Sequence, residues 1–85
     1  MSDNGYTNEP HQPSTTIKSI LSDDIEVPTE LLWMLLEGLI NNDLSMVRYK
    51  GTMFTMSVED NEYRFDYYGS VLRGNIYELM EDAGF

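Results

Sequence analysis

The chain has 85 residues, no cysteine, and 15 Asp and Glu against five Lys and Arg, giving a net charge of −10 and a pI near 4.1. That balance argues against direct binding of nucleic acid or an anionic membrane, which need clustered Lys and Arg, and favours a partner with a basic surface. Without cysteine there is no disulfide framework and no Cys-based zinc site, so a small hydrophobic core must hold the fold alone.

Residues 1–14 are rich in Asn, Pro, Ser and Thr, with Tyr6 their one aromatic group. They offer too little apolar surface to offset the entropy of ordering, and a disordered N-terminal arm is expected ahead of one compact domain over 15–85. The polar start fits no secretory signal, and with zero cysteine it suggests a cytoplasmic setting. The apolar run from Leu31 to Ile40 is interrupted by Glu37 and is too short to span a bilayer.

Ser14, Thr15 and Thr16 supply N-cap oxygens ahead of Ile17, Ile20 and Leu21, which stand at helical spacing. This predicts a short first helix ending at Asp23 and Asp24. Ile25 and Val27 alternate with Glu26 in an extended link, and Pro28 opens a second helix running to about Asn42. Leu31, Leu32, Trp33, Leu35, Leu36, Leu39 and Ile40 fill its broad apolar arc, while Glu30, Glu37 and Asn41 stand opposite.

Beyond Asp43 the apolar period changes to two. A turn at Asp60-Asn61 would pair Val58 with Tyr63, Met56 with Phe65, and Phe54 with Tyr67, setting all six on one face. A second turn at Lys50-Gly51 adds a strand from Ser45 to Tyr49, with Val47 beside Phe54. Gly69 is expected to break the third strand and Gly74 whatever follows it. Asn75 and Glu78 have capping-box spacing and open a last helix with Ile76, Leu79, Met80 and Ala83 as its apolar stripe and Gly84 as terminator. The expected fold is α+β, a three-stranded antiparallel meander with two to three helices in the order α-α-β-β-β-α.

Motifs for chemistry are missing. Gly69 and Gly74 match no phosphate-binding loop, and the single His11 lies in the arm. The runs Asp23-Asp24-Ile25-Glu26 and Glu59-Asp60-Asn61-Glu62 lack the alternating ligands and the glycine of an EF-hand. Asp43-Leu44-Ser45 reverses the Asp-Ser-Leu order at which acyl carrier proteins take their prosthetic group. No cofactor, metal or catalytic residue is expected, and the protein is not expected to be an enzyme.

The candidate partner-binding residues fall into three acidic groups and a set of exposed apolar anchors. The groups are Glu30 with Glu37; Glu59, Asp60 and Glu62; and Glu78, Glu81 and Asp82. Met34 lies within the polar stripe of the second helix, and Met46, Met53 and Tyr68 are expected on the outward sheet face among Arg48, Thr55 and Asp66. A magnitude of 10 exceeds the net charge of roughly 2 to 8 that keeps a small domain soluble. The expected function is therefore a small acidic inhibitor that mimics nucleic acid and occupies a basic, nucleic-acid-handling target. In size and charge it is similar to the proteins phages use against restriction, CRISPR effectors or polymerases. The alternatives are an adaptor or structural subunit docking through its sheet face, and an immunity or antitoxin protein.

Overall fold

A computed structural model describes residues 13–21 and 23–85. Residues 1–12 of the expected arm lie outside the described residues. Ser14 opens the first strand, and the Pro13 carbonyl accepts the Thr29 N–H at 3.1 Å. The elements are β1 (Ser14–Lys18), β2 (Asp24–Pro28), α1 (Thr29–Gly38), β3 (Leu44–Tyr49), β4 (Thr52–Glu59), β5 (Glu62–Tyr67), β6 (Ser70–Asn75) and α2 (Ile76–Asp82). The fold is α+β, but the order is β-β-α-β-β-β-β-α rather than α-α-β-β-β-α.

The expected first helix is a β-hairpin. Ser14, Thr15, Thr16 and Ile17 form a polar and β-branched run suited to an extended chain. Thr15 and Ile17 alternate inward, while Ile20 and Leu21, the rest of the supposed helical stripe, are 58% and 78% exposed. β1 pairs antiparallel with β2, Thr16 opposite Glu26. Ser14 Oγ and Thr16 Oγ1 donate to the two carboxylate oxygens of Glu26 at 2.7 and 2.6 Å, and these bonds hold that carboxyl below its usual pKa. Inside, the hydroxyls of Thr15 and Thr29 share a buried hydrogen bond of 2.7 Å.

α1 begins after Pro28, as expected, and buries Leu31, Leu32, Leu35 and Leu36 completely. It ends at Gly38 instead of Asn42. There the chain must pass so close to Ser45 that a Cβ on residue 38 would land on the serine hydroxyl. The expected core residue Ile40 is left 66% exposed beyond the helix.

The main sheet has four antiparallel strands in the order β3-β4-β5-β6, one more than expected. The predicted pairs Val58–Tyr63, Met56–Phe65 and Val47–Phe54 all occur, and the rings of Phe54 and Tyr67 stack at 5.6 Å. Each hairpin turns through two residues of positive φ, Lys50-Gly51, Asp60-Asn61 and Tyr68-Gly69, as type I′ turns require. Gly69 therefore turns the chain into β6 instead of merely ending β5. Phe54, Met56, Tyr63, Phe65 and Leu72 face inward onto α1, α2 and the β1–β2 hairpin, which together form the second layer. The opposite face of the sheet is open to solvent.

Candidate functional site

The hairpin tip and the two helices are tied together by two hydrogen bonds. The N–H of Ile76, at the start of α2, donates to the carbonyl of Asn61 in the β4–β5 turn at 2.8 Å. At the other end of α2, Trp33 Nε1 on α1 donates to the Ala83 carbonyl at 2.7 Å, and the Trp33 ring meets Phe85 edge-on at 5.9 Å. The β4–β5 turn, α2 and α1, which carry the three predicted acidic groups, thus follow one another along the molecule.

Each group is exposed, but the groups differ in how far their charge is compensated. In the turn, Glu59 stands directly opposite Glu62, a repulsive pairing. Glu62 is bridged to Arg73 of β6, with Nη2 at 3.0 Å and Nε at 3.1 Å from one carboxylate oxygen. On α2, Asn75 Oδ1 accepts the N–H groups of Tyr77 and Glu78, fixing the helix start. Glu78, Glu81 and Asp82 point outward from it, and Glu78 and Asp82 act on the Tyr63 hydroxyl. Burial first, then the fields of Asp82 and Glu78, push the Tyr63 pKa up to about 12. On α1, Glu30 accepts a long hydrogen bond from the Tyr49 hydroxyl at 3.4 Å, while Glu37 lies in the last turn.

Met34 lies exposed on α1 between Glu30 and Glu37. Tyr68 does not join this surface. It sits in the β5–β6 turn, at the end of the strands away from Asp60, and is 71% exposed with φ +49°. A bulky side chain rarely adopts that backbone conformation. Its ring is held edge-on by Phe54 at 5.5 Å and Tyr67 at 4.8 Å. Met46 and Met53 are exposed on the outward sheet face as expected, joined there by Leu44.

A second feature is the partition of charge. Arg48, Arg64 and Arg73 share the outward sheet face with Asp66 and with Glu59 and Glu62 of the hairpin group, so that face is balanced and the net charge lies on the helices and the remaining segments. Arg73 escaped the sequence reading because β6 did; its signal was the Tyr68-Gly69 turn after a strand. Two solvent-open hollows flank the acidic surface. One, of about 290 Å³, is lined by Glu59, Asp60, Glu62, Arg64 and Arg73. The other, of about 190 Å³, lies between β1, β6 and α2 and is lined by Lys18, Tyr63, Arg73, Glu78 and Asp82 among others. Among the described residues no group of three or more His, Cys, Asp or Glu could hold a metal ion, and no helix is long and apolar enough to cross a membrane.

No family model matches this chain, and no curated protein or solved structure matches it either.

Proposed function

We propose that this protein is a non-enzymatic inhibitor that lays its acidic surface into the basic, nucleic-acid-binding channel of a target protein, its carboxylates standing in for phosphates. The observation that carries this reading is where the carboxylates lie on the helices. Glu37 occupies the last turn of α1, Glu81 and Asp82 the last turn of α2, and neither helix has a basic residue there. A helix C-terminus carries partial negative charge, so acidic side chains at that end oppose folding. Carboxylates kept where they weaken the fold, on a chain already strongly acidic, are better explained by a binding role than by stability. The balanced sheet face supports the same reading, since the field is concentrated on the helical side, where it can steer association.

A test starts from the immobilised protein, exposed to cell extract and then washed with duplex DNA or RNA. The expected result is a retained protein that nucleic acid displaces and that a Glu78→Gln/Glu81→Gln/Asp82→Asn variant fails to hold. Retention unaffected by nucleic acid and by neutralising each acidic group in turn would overturn the proposal. Under the adaptor alternative, favoured by the exposed Leu44, Met46 and Met53, retention would instead fail on substitution of those residues.

A further inference from the structure

The main sheet ends in two different ways. At β6 the edge is engaged, because the Val71 carbonyl accepts the Ile20 N–H of the β1–β2 hairpin at 3.3 Å. At β3 the edge makes no outward main-chain hydrogen bond among the described residues. The bond from Val58 N–H to the Asp43 carbonyl, 3.0 Å, sets the ladder's phase. Bonded and unbonded pairs alternate in an antiparallel ladder, so Ser45, Val47 and Tyr49 bond to β4, while Leu44, Met46 and Arg48 turn their N–H and C=O groups outward. The side chains of those three share the outer sheet face, and Met46 is 62% exposed. β3 lacks the usual protections of a free edge: its register is continuous, it holds no proline, and its one charge lies near an end.

We infer that β3 is the seam of a homodimer, pairing antiparallel with β3 of a second copy about a two-fold axis at Met46. In that register Met46 meets its own symmetry mate and Leu44 pairs with the partner's Arg48. Every outward N–H and C=O of the three residues then has a partner, and any shift of register leaves some unpaired. The register also keeps the two outer faces continuous, bringing Met46 and Leu44 into cross-strand contact.

Two further observations favour a second copy as the occupant. The antiparallel arrangement carries Arg48 and Lys50, at one end of β3, to the partner's Asp43 at the other, whereas parallel pairing would set like charges together. On the inner side, Met34 stands one turn before Gly38 on the same side of α1, and Gly38 lies against Ser45 of β3. Met34 therefore lies on the β3 side of α1, exposed, and the axis brings it toward its mate. Being normal to the sheet, the axis leaves both α1 helices on one side of the dimer. The inference does not rest on what the acidic surface binds, although Met34 belongs to both surfaces.

The experiment uses the whole chain. Light scattering at about 100 μM, a hundredfold above a micromolar Kd, should give twice the 9.8 kDa chain mass. Amide hydrogen exchange should show Leu44, Met46 and Arg48 protected at that concentration and unprotected on dilution, with Ser45, Val47 and Tyr49 protected throughout. Met46→Lys and Met46→Glu should each be monomeric, and mixing them should restore a dimer, because the axis sets the two substituted positions face to face. A monomer at about 100 μM, a dimer in which those three amides exchange freely, or a mixture that stays monomeric would overturn the inference. The wild-type dilution series decides the matter even where a variant does not fold.

Discussion

The indole N–H of Trp33 and the carbonyl of Ala83 form a hydrogen bond of 2.7 Å across fifty residues, tying the middle of α1 to the C-terminus of α2. α2 is only seven residues long, too short to be stable in isolation, so its helicity depends on such tertiary ties. Trp33→Phe keeps an aromatic ring beside Phe85 but leaves the carbonyl without its donor. We expect a loss of about 1 kcal/mol, or a fall in Tm of roughly 4–8 °C. Hydrogen exchange should quicken in α2 and not in β4 or β5. Equal acceleration across the whole protein would mean that the bond supports the global fold rather than α2.

The β1–β2 hairpin is joined to the start of α1 through Thr15 and Thr29. Their hydroxyls are both buried and bond to each other at 2.7 Å. Thr15→Val leaves the Thr29 hydroxyl buried and unsatisfied, which should cost about 1–3 kcal/mol. Thr15→Val/Thr29→Val removes both polar groups at nearly constant shape and should recover most of that loss. A double-mutant cycle by chemical denaturation checks this, and additive losses would show that the two hydroxyls act separately.

Phe65 and Arg64 are neighbours on β5 with opposite fates. Phe65 is fully buried, and Phe65→Ala should cost about 3–5 kcal/mol. Arg64 is exposed and stands directly opposite Arg73, so Arg64→Ala removes a like-charge pair and should be neutral or slightly stabilising. Reversed effects in thermal unfolding would mean that the face assignment is wrong.

This register was legible in the sequence because six alternating apolar residues flank a two-residue turn, and a slip by one would have split them between the two faces. The β1–β2 hairpin was not. Ile17, Ile20 and Leu21 imitate a helical stripe, while Thr15, an inward strand position, and Ser19, buried just beyond the strand, are polar residues satisfied by specific hydrogen bonds. β6 was hidden by Gly74, which reads as a breaker. Its purpose is close packing: a Cβ there would come within 3.2 Å of the Tyr63 ring, which lies over it from the paired strand. The acidic groups were visible from charge alone. The order of the elements that carry them was not, because it depends on two long-range bonds to main-chain carbonyls, at Asn61 and Ala83.

Tyr63 should make stability fall at alkaline pH. Its folded pKa, about 12, lies above the ordinary value of 10, so the folded state keeps a proton that the unfolded chain has released. The associated stability is complete below pH 10 and is lost as pH rises from there through about 12. Allowing for screening of the fields from Asp82 and Glu78, the loss is about 1–2 kcal/mol. Tyr63→Phe should flatten denaturation midpoints measured across this range. A profile as steep as the wild type's would assign the effect to another group, Tyr67 first, whose pKa is also raised, chiefly by burial.

The acidic surface is tested by separating binding from stability. Neutralising Glu81 and Asp82 to Gln and Asn removes charge from the end of α2 where the helix dipole opposes it, so Tm should stay level or rise. Binding to the target should weaken in the same variant, an outcome that general destabilisation cannot produce. The effect should exceed that of neutralising Glu59, Asp60 and Glu62, because Arg73 already offsets one charge in the hairpin group. Glu30 with Glu37 should fall between the two. Association rates should drop as salt shortens the Debye length from about 10 Å at 0.1 M to about 3 Å at 1 M, and the drop should be smaller for the α2 variant. Met34→Ala should act on the off-rate instead, since an apolar anchor contributes little to steering at a distance. An on-rate independent of salt, or unchanged by neutralising all three groups, would leave the acidic surface without a role in recognition.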